Sequence, residues 1–256
     1  MIEFEREEKI AIIRLNRPDV HNAINDDMML RLEQVIEEIN ADPHLRCIIL
    51  TATGEESFCA GGDLRYFATL NTPESCRDMS RRMQKILDQL YLGKKVVLAA
   101  INGQALGGGC EMITATHIRV AAEHATFAFR QAPNGIITGW GGGRRLLQQL
   151  SGSTALFMLL TGKTFSAKEA KEIGFIHQIV PRHQLFSLTY ELANQIAEYN
   201  ENAVTGFLEL ARLAPMTPRK TVQEWETDRF VELWFSREFQ QILEKFRNDD
   251  RKNKDD

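Results

Sequence analysis

Apolar residues come in short unbroken runs closed by turn-forming residues, and between the runs they recur three or four positions apart. The first run, residues 10–15 (Ile-Ala-Ile-Ile-Arg-Leu), predicts a buried strand that stops at Asn16-Arg17-Pro18-Asp19, where the proline has no ladder donor. Asn25 or Asp26 then offers a helix cap, and Met28, Leu32, Val35, Ile36 and Ile39 follow at helical spacing until Asp42-Pro43. A strand over 47–50, a glycine-rich loop over 54–63 and a helical stretch from Leu64, clearest over 75–92, come next. A further strand at 96–101 runs through Asn102-Gly103 into Gly107-Gly108-Gly109, after which 110–116 reads as a helix start. Strands at 118–121 and 126–129 and a short helix at 146–150 continue the alternation, which predicts an α/β or α+β layered core with no repeat of fixed period. From about Phe186 the pattern turns amphipathic and helical, over 187–199, 203–213, 221–235 and 238–247, with breaks at Pro215 and Pro218 and a polar tail after Asn248. We therefore expect a core over 1–195 and a helical region over 196–256.

Composition narrows the classes. With 256 residues, 43% of them hydrophobic, the chain can bury one large core. Its 31 basic and 35 acidic residues leave a net charge of -4, which argues against nucleic acid or an anionic membrane surface as the main partner. No apolar stretch approaches the roughly 20 residues of a membrane span, and the charged segment at 3–9 lacks a secretory pattern. A cytoplasmic setting is expected, and Cys47, Cys59, Cys76 and Cys110, without paired spacing, read as reduced thiols. The histidines lack metal-ligand spacing, so no metal is expected.

Three glycine-rich places carry the candidate chemistry. Leu106-Gly107-Gly108-Gly109-Cys110-Glu111 lies between a buried strand and a helix, so its amides include the unpaired N–H groups of a helix start, where developing negative charge is favoured. The same glycines also suit a tight turn and close helix packing. Residues 57–64 (Ser-Phe-Cys-Ala-Gly-Gly-Asp-Leu) could present another amide, and 135–145, with Gly141-Gly142-Gly143-Arg144-Arg145, could meet phosphate or simply form a tight loop before the next helix. Gly107-Gly108-Gly109 is too compact for a dinucleotide fingerprint. Thr161-Gly162-Lys163-Thr164 is no phosphate-binding P-loop, because Phe157 occupies the place of the required glycine.

Together these segments resemble the crotonase (enoyl-CoA hydratase/isomerase) superfamily. The resemblance rests on Leu15-Asn16-Arg17-Pro18 with Asn22-Ala23, on 58–64, on 99–111, and on Thr161-Gly162 through Ala167, Ala170 and 174–181. It implies a spiral of ββα units with a helical C-terminal region used for trimer formation, assembly as a homotrimer or hexamer, and an acyl-CoA substrate. No separate cofactor is implied, since coenzyme A arrives as part of the substrate. By motif match the oxyanion amides fall on Gly62 and Gly108. Asp19, Val20 and His21 match the loop beside CoA, Arg65 a basic place near its phosphates, and Ala60, Asp63, Leu64, Gly135 and Trp140 the substrate-binding surface. Fatty-acid metabolism is the family's commonest setting.

One departure limits what the resemblance implies. The family's hydratases flank a catalytic water with two glutamates; Glu111 keeps the first, but the second position falls on Gln131. An amide cannot take a proton as a carboxylate does, and one positioned acid or base typically supplies about a hundred- to ten-thousand-fold in rate. Hydration with Glu111 alone is the leading expectation. Decarboxylation of a malonyl-type thioester is an alternative, suggested by a resemblance to the ethylmalonyl-CoA decarboxylase branch at Gly135-Ile136-Ile137 and Trp140-Gly141-Gly142, with Arg130 available to a substrate carboxylate. Double-bond isomerisation by Glu111, or a non-catalytic CoA-binding scaffold, are the remaining readings.

Overall fold

The computed structural model of the chain describes residues 1–213 together with Thr221, Thr227, Asp228, Arg237 and Gln241. Apart from those isolated positions, the helices expected at 221–235 and 238–247, the breaks at Pro215 and Pro218 and the polar tail lie outside the described residues. Two compact units are distinguished, Met1–Ala197 and Glu198–Asp256.

The first unit begins with β1 (Ile2–Glu7), β2 (Ile10–Leu15) and α1 (Asp26–Ala41). It then runs through β3 (Cys47–Ala52), β4 (Ser57–Cys59), the short α2 (Leu64–Phe67) and the long α3 (Pro73–Tyr91). The next turn of the pattern is β5 (Val96–Ile101), β6 (Gln104–Leu106) and α4 (Gly108–Thr114), and then β7 (Ile118–Ala122), β8 (Thr126–Ala128) and α5 (Gly142–Gln149). After α6 (Gly152–Thr161), β9 (Phe165–Ser166), α7 (Ala167–Glu172) and β10 (Gln178–Val180), the unit closes with α8 (Leu185–Ala197). The second unit contains α9 (Glu201–Leu213).

From β3 to β8, successive strands alternate between two sheets. One has the order β1-β2-β3-β5-β7-β10 and the other β4-β6-β8-β9, so the pairs β3/β4 and β5/β6 each leave one sheet, enter the other and return through a helix, whereas after β7/β8 the chain adds β9 to the smaller sheet before α7 leads back to β10. This is the spiral of ββα units that the family resemblance implied. All pairings in the larger sheet are parallel except β1 with β2. Every residue of β3 and β5 is buried, which is why both read as unbroken apolar runs. Asn25 caps α1 by accepting from the Met28 amide at 3.1 Å, as its position suggested.

The glycine-rich segments are more structured than the sequence indicates. The helix expected at 146–150 starts four residues earlier, at Gly142, because Gly141 takes a left-handed φ of 80° that lets the chain turn directly into α5. Likewise α4 starts at Gly108 and not at Cys110. The three-residue strands β4, β6 and β10 and the pair β9–α7 were not anticipated, since runs this short carry no period of their own.

The early Asn16-Arg17-Pro18 segment has a physical explanation. Arg17 Nη1 donates to the Ala23 carbonyl at 2.8 Å and to Asp63 Oδ2 at 3.0 Å. Asn22, wholly buried, accepts from the Arg17 amide at 2.8 Å and donates to the carbonyls of Thr53 at 3.0 Å and Ser57 at 2.9 Å. These contacts tie the loop after β2 to the entry and exit of β4. Asn22 also sits at a φ of 56°, a left-handed value that asparagine tolerates better than alanine. Asn22→Ala is therefore expected to lose about 3 kcal/mol from stranded carbonyls and backbone strain combined. Asn22→Gly, which relieves only the strain, should lose less; urea denaturation midpoints of the two variants check the order.

Candidate active site

The β4–α2 loop and the β6–α4 turn come together at one end of the smaller sheet. Gly61 has a φ of 99°, and a Cβ there would lie 3.0 Å from the Leu106 carbonyl oxygen and 3.1 Å from the Gly108 nitrogen. A Cβ on Gly109 would lie 2.1 Å from the Cys59 carbonyl oxygen. Backbone meets backbone here, and only glycine permits it.

Two glycines at this approach carry amides that the local pairing does not use. Gly62 forms a parallel bridge to Ile24, in which Ile24 N donates to Gly61 O at 2.8 Å and Asp63 N donates to Ile24 O at 2.8 Å. Gly62's own N–H therefore points away from Ile24. Gly108 is the first residue of α4, so its N–H has no acceptor within the helix. Both glycines line a pocket of about 580 Å³ with Ala60, Phe67, Met79, Glu111, Gln131 and Trp140. Aromatic rings close over both positions. A Cβ on Gly62 would fall 2.0 Å from Phe67 Cζ, and one on Gly108 2.3 Å from Trp140 Cζ3.

Glu111, in the first turn of α4, is 2% exposed and receives three neutral donors. Gln131 Nε2 donates to its Oε1 at 2.9 Å, and the amides of Trp140 and Gly142 donate to its Oε2 at 2.8 and 2.9 Å. Burial pushes the carboxyl above the ordinary glutamate value, against the opposing pull of those donors and of the Arg145 charge. Gly142 is indispensable to this arrangement, because a Cβ there would lie 2.4 Å from Glu111 Cγ.

Gln131 is 7% exposed, and its Oε1 has no hydrogen-bond partner. In this orientation Nε2 faces the Glu111 carboxylate, which accepts from it. A buried acceptor thus stands beside the one carboxylate in the pocket.

The other expected site residues divide. Ala60, Leu64, Arg130 and Trp140 line the pocket with the glycines, Leu64 being 79% exposed at its rim. Arg130 is already engaged: Nη1 donates to the Gly162 carbonyl at 3.0 Å and Nη2 to Thr164 Oγ1 at 2.9 Å. Asp63 is not among the pocket-lining residues; its carboxylate caps α2 through the Arg65 amide at 2.9 Å and pairs with Arg17. Asp19 and His21 line a separate cleft of about 400 Å³ with Glu55 and Glu56, an acidic place ill suited to phosphate, and Val20 lies in the 3-10 turn between them. His21 O nevertheless accepts from the Ala60 amide at 2.9 Å, which couples that turn to the glycine loop. Gly135 ends a 3-10 turn at a φ of 73°, beside the lining residues Asn134 and Ile136 and not itself among them. Arg65 follows the Asp63 cap at the exposed start of α2.

Sequence reasoning placed pocket walls in the 66–80 segment, which supplies Phe67 and Met79, but missed the two amides that hold Glu111. Nothing in the local pattern marks a backbone N–H as a carboxylate donor; only the return of the 139–142 loop against α4 does so.

A family model described as enoyl-CoA hydratase/isomerase matches residues 5–253. The chain belongs to this family. It is 37% identical over 192 residues to a short-chain-enoyl-CoA hydratase of Clostridium acetobutylicum, covering 75% of this chain and 73% of that one. It is 34% identical over 200 residues to a crotonyl-CoA hydratase of Syntrophomonas wolfei, covering 78% and 76%. The crystal structure of an enoyl-CoA hydratase from Bacillus anthracis superposes with a TM-score of 0.90 at 30% identity, covering 97% of this chain and 96% of that one. Among the described residues, no helix is long and apolar enough to cross a membrane.

The raised Glu111 carboxyl has a consequence for stability. Its neutral form is the one the fold prefers, so its contribution is greatest below the ordinary glutamate value of about 4.3 and is lost as pH rises through its higher value in the folded chain. In Glu111→Gln an amide flip of Gln131 offers Oε1 to the new NH₂ group, and the two backbone amides keep an oxygen acceptor. This variant is expected to match the parent near pH 4 and to exceed its melting temperature at pH 8. Calorimetry at the two pH values reads the difference.

Proposed function

We propose that the chain is an enoyl-CoA hydratase-like lyase in which the amides of Gly62 and Gly108 hold the thioester oxygen and Glu111 carries the proton. The observation that carries this reading is the convergence of two outward-facing amides, one buried carboxylate and one unpartnered amide oxygen on a single pocket. As water adds to C3 of the enoyl chain, negative charge moves onto the thioester oxygen. Fixed N–H donors aimed there stabilise the enolate, each typically by about 3 kcal/mol. Glu111 accepts a proton from the attacking water and returns it to C2, so one carboxylate serves as base and then acid.

Gln131 fits a supporting role in this scheme. Its Oε1 can accept the water's second hydrogen, while its Nε2 donates to Glu111 and keeps it aimed. When Glu111 is protonated, the same amide can turn and accept from it, so both protonation states find a partner. Ala60 and Leu64 line the path to the thioester, and Arg65 suits the coenzyme's phosphates at its exposed position. No cofactor beyond the coenzyme A of the substrate is needed. Decarboxylation would use the same two amides, but its candidate cation, Arg130, already spends both Nη groups on Gly162 and Thr164, which favours hydration. Assembly as a homotrimer or pair of trimers through the 196–256 region, beside a catalytic core of 1–195, belongs to the same proposal.

The test is incubation of the purified protein with crotonyl-CoA and, separately, with ethylmalonyl-CoA, with products followed by mass spectrometry. Formation of 3-hydroxybutyryl-CoA is expected, with a loss of about a hundred-fold or more in Glu111→Gln and about tenfold in Gln131→Leu. Loss of carbon dioxide without hydration would replace this reading with decarboxylation, and turnover that survives Glu111→Gln would remove Glu111 from its role.

A further inference from the structure

Arg145 is 0% exposed, and a fully buried guanidinium persists only where its donors and charge are met. Its Nε donates to Thr114 Oγ1 at 3.1 Å and its Nη1 to Asp88 Oδ1 at 3.0 Å. Its Nη2 donates to the Trp140 carbonyl at 2.7 Å and, more weakly, to the Glu111 carbonyl at 3.4 Å. One side chain therefore touches the helix that carries Glu111, the loop that supplies its donors, and α3.

The peptide units between Gly139 and Gly142 explain what this contact does. The first unit carries the Trp140 N–H that reaches Glu111, and its carbonyl, Gly139 O, accepts from Ser80 Oγ at 2.6 Å and Gln84 Nε2 at 3.0 Å. The third carries the Gly142 N–H that reaches Glu111, and its carbonyl, Gly141 O, accepts from the Arg145 amide at 3.2 Å as α5 begins. The middle unit is held by the Arg145 side chain through Trp140 O. Two N–H groups separated by one peptide unit can converge on a single carboxylate oxygen only while that unit keeps its orientation.

We propose that Arg145 is a positioning residue for the active site: its guanidinium fixes the Trp140 carbonyl so that the amides of Trp140 and Gly142 stay aimed at the Glu111 carboxylate. The proposal deepens the hydratase reading, since it concerns how the proton-carrying group of that reading is held. A residue that only filled space between α4 and α5 would influence the protein through global stability. A positioning residue loosens these two amides first.

The test compares the parent, Arg145→Lys and Asp88→Asn by amide hydrogen–deuterium exchange and by steady-state kinetics with crotonyl-CoA. Lysine keeps the charge but cannot reach three acceptors on different elements at once. In Arg145→Lys, exchange at Trp140 and Gly142 is expected to rise about tenfold or more while the β3 and β5 amides stay within about twofold of the parent. The same variant should show kcat reduced with KM within about twofold, the signature of a misaimed catalytic group. Asp88→Asn, which weakens the hold on Arg145 from a partly exposed position, should raise exchange at the same two amides by about threefold. Unchanged exchange at Trp140 and Gly142 in Arg145→Lys overturns the proposal, and so does a parallel rise across all strands. If Arg145→Lys does not fold, Asp88→Asn decides on the same criterion. A parent without turnover on crotonyl-CoA would count against the hydratase reading alone, because the exchange measurement needs no substrate.

Discussion

The structure depends on keeping one carboxylate almost wholly buried at the wall of the pocket. Glu111 is buried, and among the described residues no cation lies within ion-pair distance of its oxygens; three neutral N–H groups surround it instead. Neutral donors hold a carboxylate in place without neutralising it, so its proton affinity stays high enough for proton transfer. A direct salt bridge would have fixed the group and lowered its usefulness as a base.

The glycine distribution follows from the same constraint. Gly142 must lack a side chain because a Cβ would overlap Glu111, and Gly109 because a Cβ would overlap the Cys59 carbonyl. Gly61 brings the two loops into contact, so that Gly62 and Gly108 line one pocket. The Arg17 and Asn22 contacts lock the preceding loop against Asp63 and β4. Elements far apart in sequence are thereby held at the short range that hydrogen-bond geometry demands.

Gln131 is the buried polar neighbour of Glu111 in the pocket. Its amide donates one hydrogen to Glu111 and leaves an oxygen unpartnered. An amide beside a buried carboxylate adds no second charge and so avoids the mutual repulsion that would raise both pKa values further. The similarity to proteins known as hydratases in Clostridium acetobutylicum and Syntrophomonas wolfei is compatible with a water held in this way.

By itself the sequence determined the layered class, the buried strands at 10–15 and 96–101, the cap of α1, and the pairing of Glu111 with the position of Gln131. Each of these rests on short-range pattern: continuous apolar runs, helical spacing, or a motif with fixed offsets. The helix starts at Gly108 and Gly142 were not legible, because glycine has the lowest helix propensity of any residue but proline and is admitted here by close packing. Nor was the displacement of Asp19 and His21 into a separate acidic cleft, since adjacency along the motif does not reveal which side of the loop a side chain takes. Only the tertiary structure decided that Arg130 is committed to Gly162 and Thr164, and that Trp140 and Gly142 hold Glu111 through their backbones. A backbone donor has the same chemistry at every residue, so its role is set by where the chain folds and leaves no mark in the sequence.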